Sequence, residues 1–190
     1  QKILGVLGQS AARLASGSRD SSGIHVIVYQ ATKSRFLEQV HSTDIEEIVR
    51  EAFIKKLGHK VGAAEVRSWQ ASLRSMAIVL TDEDIPADTG VAIEYNIPQT
   101  GKRVDFILTG LDQDRAPKVI IVELKQWEKS QRTDKDGIVS TYVGGSNREV
   151  SHPSYQAWSY AALLEGFNET VYSGSVALHP CAYLHNYIPD

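Results

Sequence analysis

Between Val91 and Trp127 the chain carries a sheet-forming pattern and then puts charge where a sheet interior ordinarily excludes it. Ala92 to Ile97 is apolar at alternate positions, Arg103 to Leu108 holds a β-branched and aromatic run, and Lys118 to Leu124 is nearly all Val and Ile. These patterns predict three consecutive strands, the last buried on both faces. The breaks hold Pro98 and Gly101, then Gly110, Asp112 and Pro117, whose dihedral preferences make turns.

Asp105 falls inside the second of these strands, while Glu123 and Lys125 end the third. A period of two points Glu123 and Lys125 to one side and Leu124 to the other. A buried carboxylate is costly unless a cation or metal compensates it. Two carboxylates and one lysine at adjacent strand ends therefore suggest a divalent-metal site with a cation beside it. Glu-x-Lys alone is weak, since a chain of this length should contain about one by chance. The setting gives it weight: an Asp-bearing strand, a turn-rich connection, then a β-branched strand ending in Glu-Leu-Lys. The competing reading is a buried Glu123–Lys125 ion pair on an edge strand. Glu94, on the first strand, is a candidate for an extra metal ligand or for a salt bridge to Lys102 or Arg103.

The flanking segments alternate between helix and strand. Ile24 to Gln30 reads as a short strand and Thr32 to Glu38 as one helical turn or more. Asp44 to Leu57 is an amphipathic helix, with Ile45, Ile48, Val49, Ala52, Phe53 and Leu57 at helical spacing. Thr43 with Glu46 fits a capping box, and Gly58 fits the stop. Glu65 to Leu80 is a second such helix, with Trp69 and Met76 expected in the core. Past Lys125, Gln126 to Gly137 reads as a solvated loop, Ile138 to Val143 as a strand, Gly144-Gly145 as a turn, and Arg148 to Val150 as the returning arm. His152-Pro153 opens a helix that runs to about Glu165, with Gln156 and Tyr160 on one face. An apolar strand lies within Ser175 to Tyr187; its His179 and His185 do not match zinc-ligand spacing.

Asp105 with Glu123-Leu124-Lys125 resembles the core of the PD-(D/E)XK nuclease superfamily. Gln156 and Tyr160 are similar to the Gln-x-x-x-Tyr motif of its RecB-like branch. From about Val26 to Tyr187 the chain resembles the N-terminal domain that precedes a helicase-type ATPase in bacterial proteins of the DUF2075, Schlafen-like helicase group. The most specific stretches are Ile93 to Leu111, Ile121 to Lys129 and His152 to Glu165. Val104 stands where the superfamily often has proline. The resemblance implies an α/β fold of α+β type, with a restriction-endonuclease-like central mixed sheet flanked by helices. It also implies that Glu46, on the first core helix, helps hold metal, and that Gln156 and Tyr160 contact substrate or orient neighbouring ligands. The implied partners are nucleic acid, DNA before RNA, and a C-terminal helicase or ATPase domain. Antiviral defence is the implied setting.

Length and composition are compatible with this. The 190 residues, 42% hydrophobic, can bury one substantial core. Gln1 to Gly23 reads as a leader or linker, leaving 24–190 as the domain, with more protein expected after it. The net charge of -3 does not advertise nucleic-acid binding, although carboxylates destined for bound cations can leave a nuclease acidic overall. A single Cys181 rules out an internal disulfide and a cysteine-rich zinc site, and it is expected as a small core residue. No apolar run reaches a membrane span, so a reducing, cytoplasmic setting and no membrane partner are expected. No G-x-x-x-x-G-K-[ST] loop occurs.

The constellation supports metal-assisted phosphodiester hydrolysis. Asp105 and Glu123, with the backbone carbonyl of Leu124, would hold one or two Mg²⁺ or Mn²⁺ ions. Lys125 would position the attacking water or stabilise charge in the transition state. Two other readings stay open: a catalytically silent nucleic-acid-binding or interaction module, and a metal-dependent phosphatase, for which a phosphate-cradling loop is lacking.

Overall fold

A computed structural model describes residues 27–58, 60–97, 100–167, 171 and 176–188. The expected leader, Gln1 to Gly23, lies outside the described residues. In chain order the elements are β1 (Ile27–Thr32), α1 (Lys33–Ser42), α2 (Ile45–Leu57), α3 (Ala63–Leu80), β2 (Gly90–Asn96), β3 (Arg103–Leu111), β4 (Pro117–Lys125), β5 (Gln131–Arg132), β6 (Ile138–Val143), β7 (Ser146–Ser151), α4 (Pro153–Phe167) and β8 (Ala177–Leu184).

The strands read in the central stretch become the middle of a five-stranded mixed sheet, ordered β1-β2-β3-β4-β8. Neighbours from β1 through β4 are antiparallel; β8 joins β4 in parallel. A parallel neighbour needs a crossover, and the segment containing α4 supplies it. The fold is thus a mixed α/β arrangement with helices on both sheet faces. β4 lies between β3 and β8, so Glu123 and Lys125 are not on an edge strand.

Alternate residues of each strand feed two cores. Phe36 of α1, Val49 and Phe53 of α2, and Leu73 and Met76 of α3 pack against Val91, Phe106 and Val122. Tyr160, Ala161 and Leu164 of α4 pack against Ala92, Ile107, Val119 and Ile121 on the other face. Each fully buried Leu, Ile or Phe contributes about 1.5–3 kcal/mol. Phe36 meets Phe106 edge-on, with centroids 5.7 Å apart. Trp69 and Met76 are buried as expected. Ile120, at 38% exposure, breaks the double burial expected of β4.

Three local expectations are corrected. α1 continues to Ser42, and Thr43 belongs to its end, where its hydroxyl donates to Gln39 O at 2.7 Å. Thr43 is therefore not available to cap α2, whose N-cap is Asp44, without a side-chain cap bond. Gly58 closes α2 at φ 75°, its N–H on Ile54 O, as a left-handed stop requires. Within Gln126 to Gly137, β5 pairs with β6 and makes a second, three-stranded sheet with β7. Gly144 and Gly145, at φ 59° and 88°, form its two-residue hairpin turn. Cys181 is exposed because it lies on the uncovered side of edge strand β8, with Ala177 and His179.

No helix among the described residues is long and apolar enough to cross a membrane.

Candidate active site

A reversal in β2 and β3 makes the site. In a regular strand Ile93 and Tyr95 share a face. Here Ile93 and its partner Phe106 pack with α1–α3, whereas Tyr95 and its partner Val104 pack with α4. Between them Glu94 has φ 58°, a left-handed conformation that costs a residue with a Cβ about 1–2 kcal/mol. The strand pair turns over at Glu94 and the residue opposite it in register, Asp105.

The β3–β4 ladder ends at Phe106 and Val122. Beyond it, Leu124 N–H donates to Asp105 Oδ2 at 2.9 Å. Lys125 O accepts from His185 N at 3.1 Å on the β8 side. Because strand edges alternate, the N–H and C=O of Leu124 face the opposite edge, toward Asp105.

Glu123 is 1% exposed, and its Oε1 is ion-paired with Lys125 Nζ. The two side chains thus share a side, as the strand period demands. Glu123 Oε2 is buried without a hydrogen-bond partner. Asp105 and Glu123 stand close enough for each to act on the other's protonation. Burial raises the pKa of both groups; the Asp105 charge raises Glu123 further, while the Leu124 N–H, Lys125 and Arg103 act against the rise at Asp105. Lys125 relieves part of the repulsion, and the partnerless Glu123 Oε2 is an atom that a shared proton or a further cation could satisfy.

A second carboxylate network stands beside the first. Trp69 Nε1 donates to Glu94 Oε1 at 2.6 Å, and Arg103 Nε is ion-paired with Glu94 Oε2. Arg103 Nη2 also reaches Glu65 Oε1 at 2.5 Å, and its guanidinium lies 5.3 Å from the Phe53 ring centroid. Glu94 is thus committed to a salt bridge with Arg103. Four carboxylates, Glu65, Glu94, Asp105 and Glu123, meet two cations, Arg103 and Lys125. Among the described residues no three His, Cys, Asp or Glu converge as a metal-binding group. The groups that could hold an ion there are Asp105, Glu123 and the Leu124 carbonyl, a small set that suits a cation keeping several waters.

Burial pushes the Glu94 carboxyl up to about 8 from 4.5, against the pull of Arg103 and the Trp69 N–H. The folded chain then keeps a proton that the unfolded chain has lost. Stability from this group is present below its unfolded value and is lost as pH rises through about 8. In EDTA the thermal midpoint is expected to fall between about pH 5 and pH 9, and Glu94→Gln is expected to flatten the fall. A Glu94→Gln profile as steep as the wild type's would remove Glu94 as the cause.

Helix α4 brings Gln156 and Tyr160 to the same region. Gln156 Nε2 donates to Tyr160 OH at 2.7 Å. Burial raises the Tyr160 pKa; the Gln156 bond opposes the rise, and the charges of Glu123 and Asp105 add to it. Glu46 is not brought in. It is buried in the first turn of α2 beside Ile45 and Val49, with Oε2 unpartnered, and it forms no metal-binding group with Asp105 and Glu123. A first-turn carboxylate already has a favourable place at the positive helix end.

Asp105 and Lys125 line a cleft of about 470 Å³, with α3 on one side and Tyr142 to Gly144 on another. Trp127 and Tyr142 also line it, and sequence reasoning gave neither a role. An available signal was two aromatics in segments otherwise composed as solvated loop and hairpin. His185 Nε2, 3.0 Å from Ser72 Oγ, ties β8 to α3 beside the cleft.

No protein-family model matches the chain, and no curated protein or solved structure matches it.

Proposed function

We propose that this domain is a metal-dependent nuclease of PD-(D/E)XK type, cutting phosphodiester bonds in nucleic acid, with DNA the foremost substrate. The observation that supports the reading is half-buried Asp105 beside the end of β4, where its carboxylate takes the Leu124 N–H, with buried Glu123 ion-paired to Lys125 and a cleft lined by Asp105, Leu124 and Lys125. Asp105, Glu123 and the Leu124 carbonyl would hold Mg²⁺ or Mn²⁺. When bound, such an ion lowers the pKa of water and neutralises charge on phosphate oxygens.

The chain's own groups divide the remaining work. The Leu124 N–H fixes one oxygen of Asp105, leaving the other for the ion. Arg103 is held between Glu94 and Glu65, so it is not the cation that serves the phosphate. Lys125 has one carboxylate partner and three N–H donors, enough to keep Glu123 in place and still orient an attacking water or stabilise a phosphate oxygen. Tyr160 and Gln156 brace this arrangement from α4. A cytoplasmic setting and a C-terminal helicase or ATPase partner belong to the same reading.

Labelled single-stranded and duplex DNA and RNA, incubated with Mg²⁺, Mn²⁺ or EDTA, test it. Metal-dependent cutting that falls by about 10²–10³-fold in Lys125→Met is expected. A folded wild type that cuts none of these would favour the silent nucleic-acid-binding module.

A further inference from the structure

A second cleft, of about 540 Å³, adjoins the first, and the two share Gln126, Trp127 and Tyr142. Together they make one trough that leads from Asp105 and Lys125 past two aromatic rings toward Lys129 and Asn147. One wall is the small sheet, fastened where Thr141 Oγ1 donates to Lys129 O at 2.7 Å. Val139 and Thr141 of β6 are buried, while Tyr142 is 68% exposed, so its ring supports little of the fold. Trp127 is half-buried, with Lys125 Nζ 6.0 Å from its ring centroid.

The trough's chemistry selects its occupant. A duplex hides its base faces and presents phosphate, so a protein that holds it relies on many cations. This trough offers few, and the chain is acidic overall. It offers ring faces interleaved with neutral donors and acceptors such as Ser130, Gln131 and Asn147, which is how unpaired bases are held, by stacking with little dependence on sequence.

We propose that Tyr142 and Trp127 form a stacking platform that leads a single nucleic-acid strand to Asp105 and Lys125. The proposal rests on the nuclease reading for what lies at the end of the trough, and on the trough alone for the single strand.

The test is fluorescence anisotropy of a labelled oligothymidine and of a labelled duplex, in EDTA and at one fixed salt concentration, so that no cutting contributes. The single strand is expected to bind at least about tenfold more tightly than the duplex. Tyr142→Ala is expected to weaken single-strand binding by about tenfold. Tyr142→Phe, which keeps the ring, should retain affinity, and so should Trp158→Ala, whose exposed ring lines neither cleft. Equal affinity for duplex, an unchanged Tyr142→Ala, or no binding of the single strand by folded wild type would each overturn the platform. Single-strand binding through Tyr142 without Mg²⁺-dependent cutting would sink the nuclease reading and leave the platform standing. Mg²⁺-dependent cutting with an unchanged Tyr142→Ala would do the reverse.

Discussion

Asp105→Asn is expected to lower metal-dependent cleavage by about 10³-fold or more while making the metal-free protein more stable than the wild type. The two effects have one origin. Asn keeps an oxygen for the Leu124 N–H, and its amide can donate to Glu123 Oε2, which otherwise has no partner. It also removes the carboxylate whose charge disfavours ionised Glu123. Giving a buried acceptor its donor is worth about 1 kcal/mol, or about 2–4 °C in thermal midpoint for a domain of this size. In the wild type, Mg²⁺ should raise the midpoint, as any ligand of the folded state does; in the variant that rise should vanish. Differential scanning calorimetry with and without Mg²⁺, beside the cleavage assay, reads all of this. A variant that Mg²⁺ still stabilises as much as the wild type would take Asp105 out of the metal site.

The second large effect concerns Glu94 and has an unusual ordering. Above about pH 8, where Glu94 is ionised, Glu94→Ala removes the Arg103 ion pair and the Trp69 hydrogen bond together. Losing one partner of a buried pair costs about 3–5 kcal/mol; because Arg103 is one-third exposed and keeps Glu65, about 2–4 kcal/mol is expected here. Glu94→Gly loses the same contacts but relieves the left-handed φ, so it should be about 1 kcal/mol less destabilising than Glu94→Ala. In an ordinary strand interior glycine is the worse of the two. Urea unfolding of the wild type and both variants decides the matter: if Glu94→Gly were more destabilising than Glu94→Ala, the reversal of the strand pair would not be a source of strain.

These residues also mark how far the sequence could be read. The common side of Glu123 and Lys125 follows from a period of two, and β6 with its Gly-Gly turn follows from β-branched residues beside a dipeptide suited to positive φ. The reversal at Glu94 had no such signal: a salt bridge to Arg103 follows from the hairpin, but the left-handed backbone of a non-glycine residue, with Trp69 of α3 bonded to its carboxylate, has no local pattern. Period two alone therefore mispredicts the faces of Tyr95 and Val104, although it finds the strands. Glu46 misled for a related reason: a capping pattern is local, but Thr43 is claimed by the preceding helix, and a buried carboxylate on α2 does not have to reach the sheet. Cys181 was placed in the core by residue type, whereas the outer face of an edge strand is decided by what covers it. Trp127 and Tyr142 line the same clefts only because the small sheet stands beside the segment after β4, a placement that no local spacing encodes.

The parallel pairing of β8 with β4 imposes an order on synthesis. When β4 leaves the ribosome, one of its edges has no partner until α4 and then β8 have followed, since adjacent chain cannot make a parallel neighbour. The bond from His185 N to Lys125 O and the contact of His185 with Ser72 form only at that last step. Until it occurs, the main chain bearing Glu123 and Lys125 is unclamped on that side, and Ile120 and Ile121 lie along an open edge of the kind that recruits other chains. A nascent domain would therefore have an unfinished site and be aggregation-prone at once, and docking of β8 would end both conditions together.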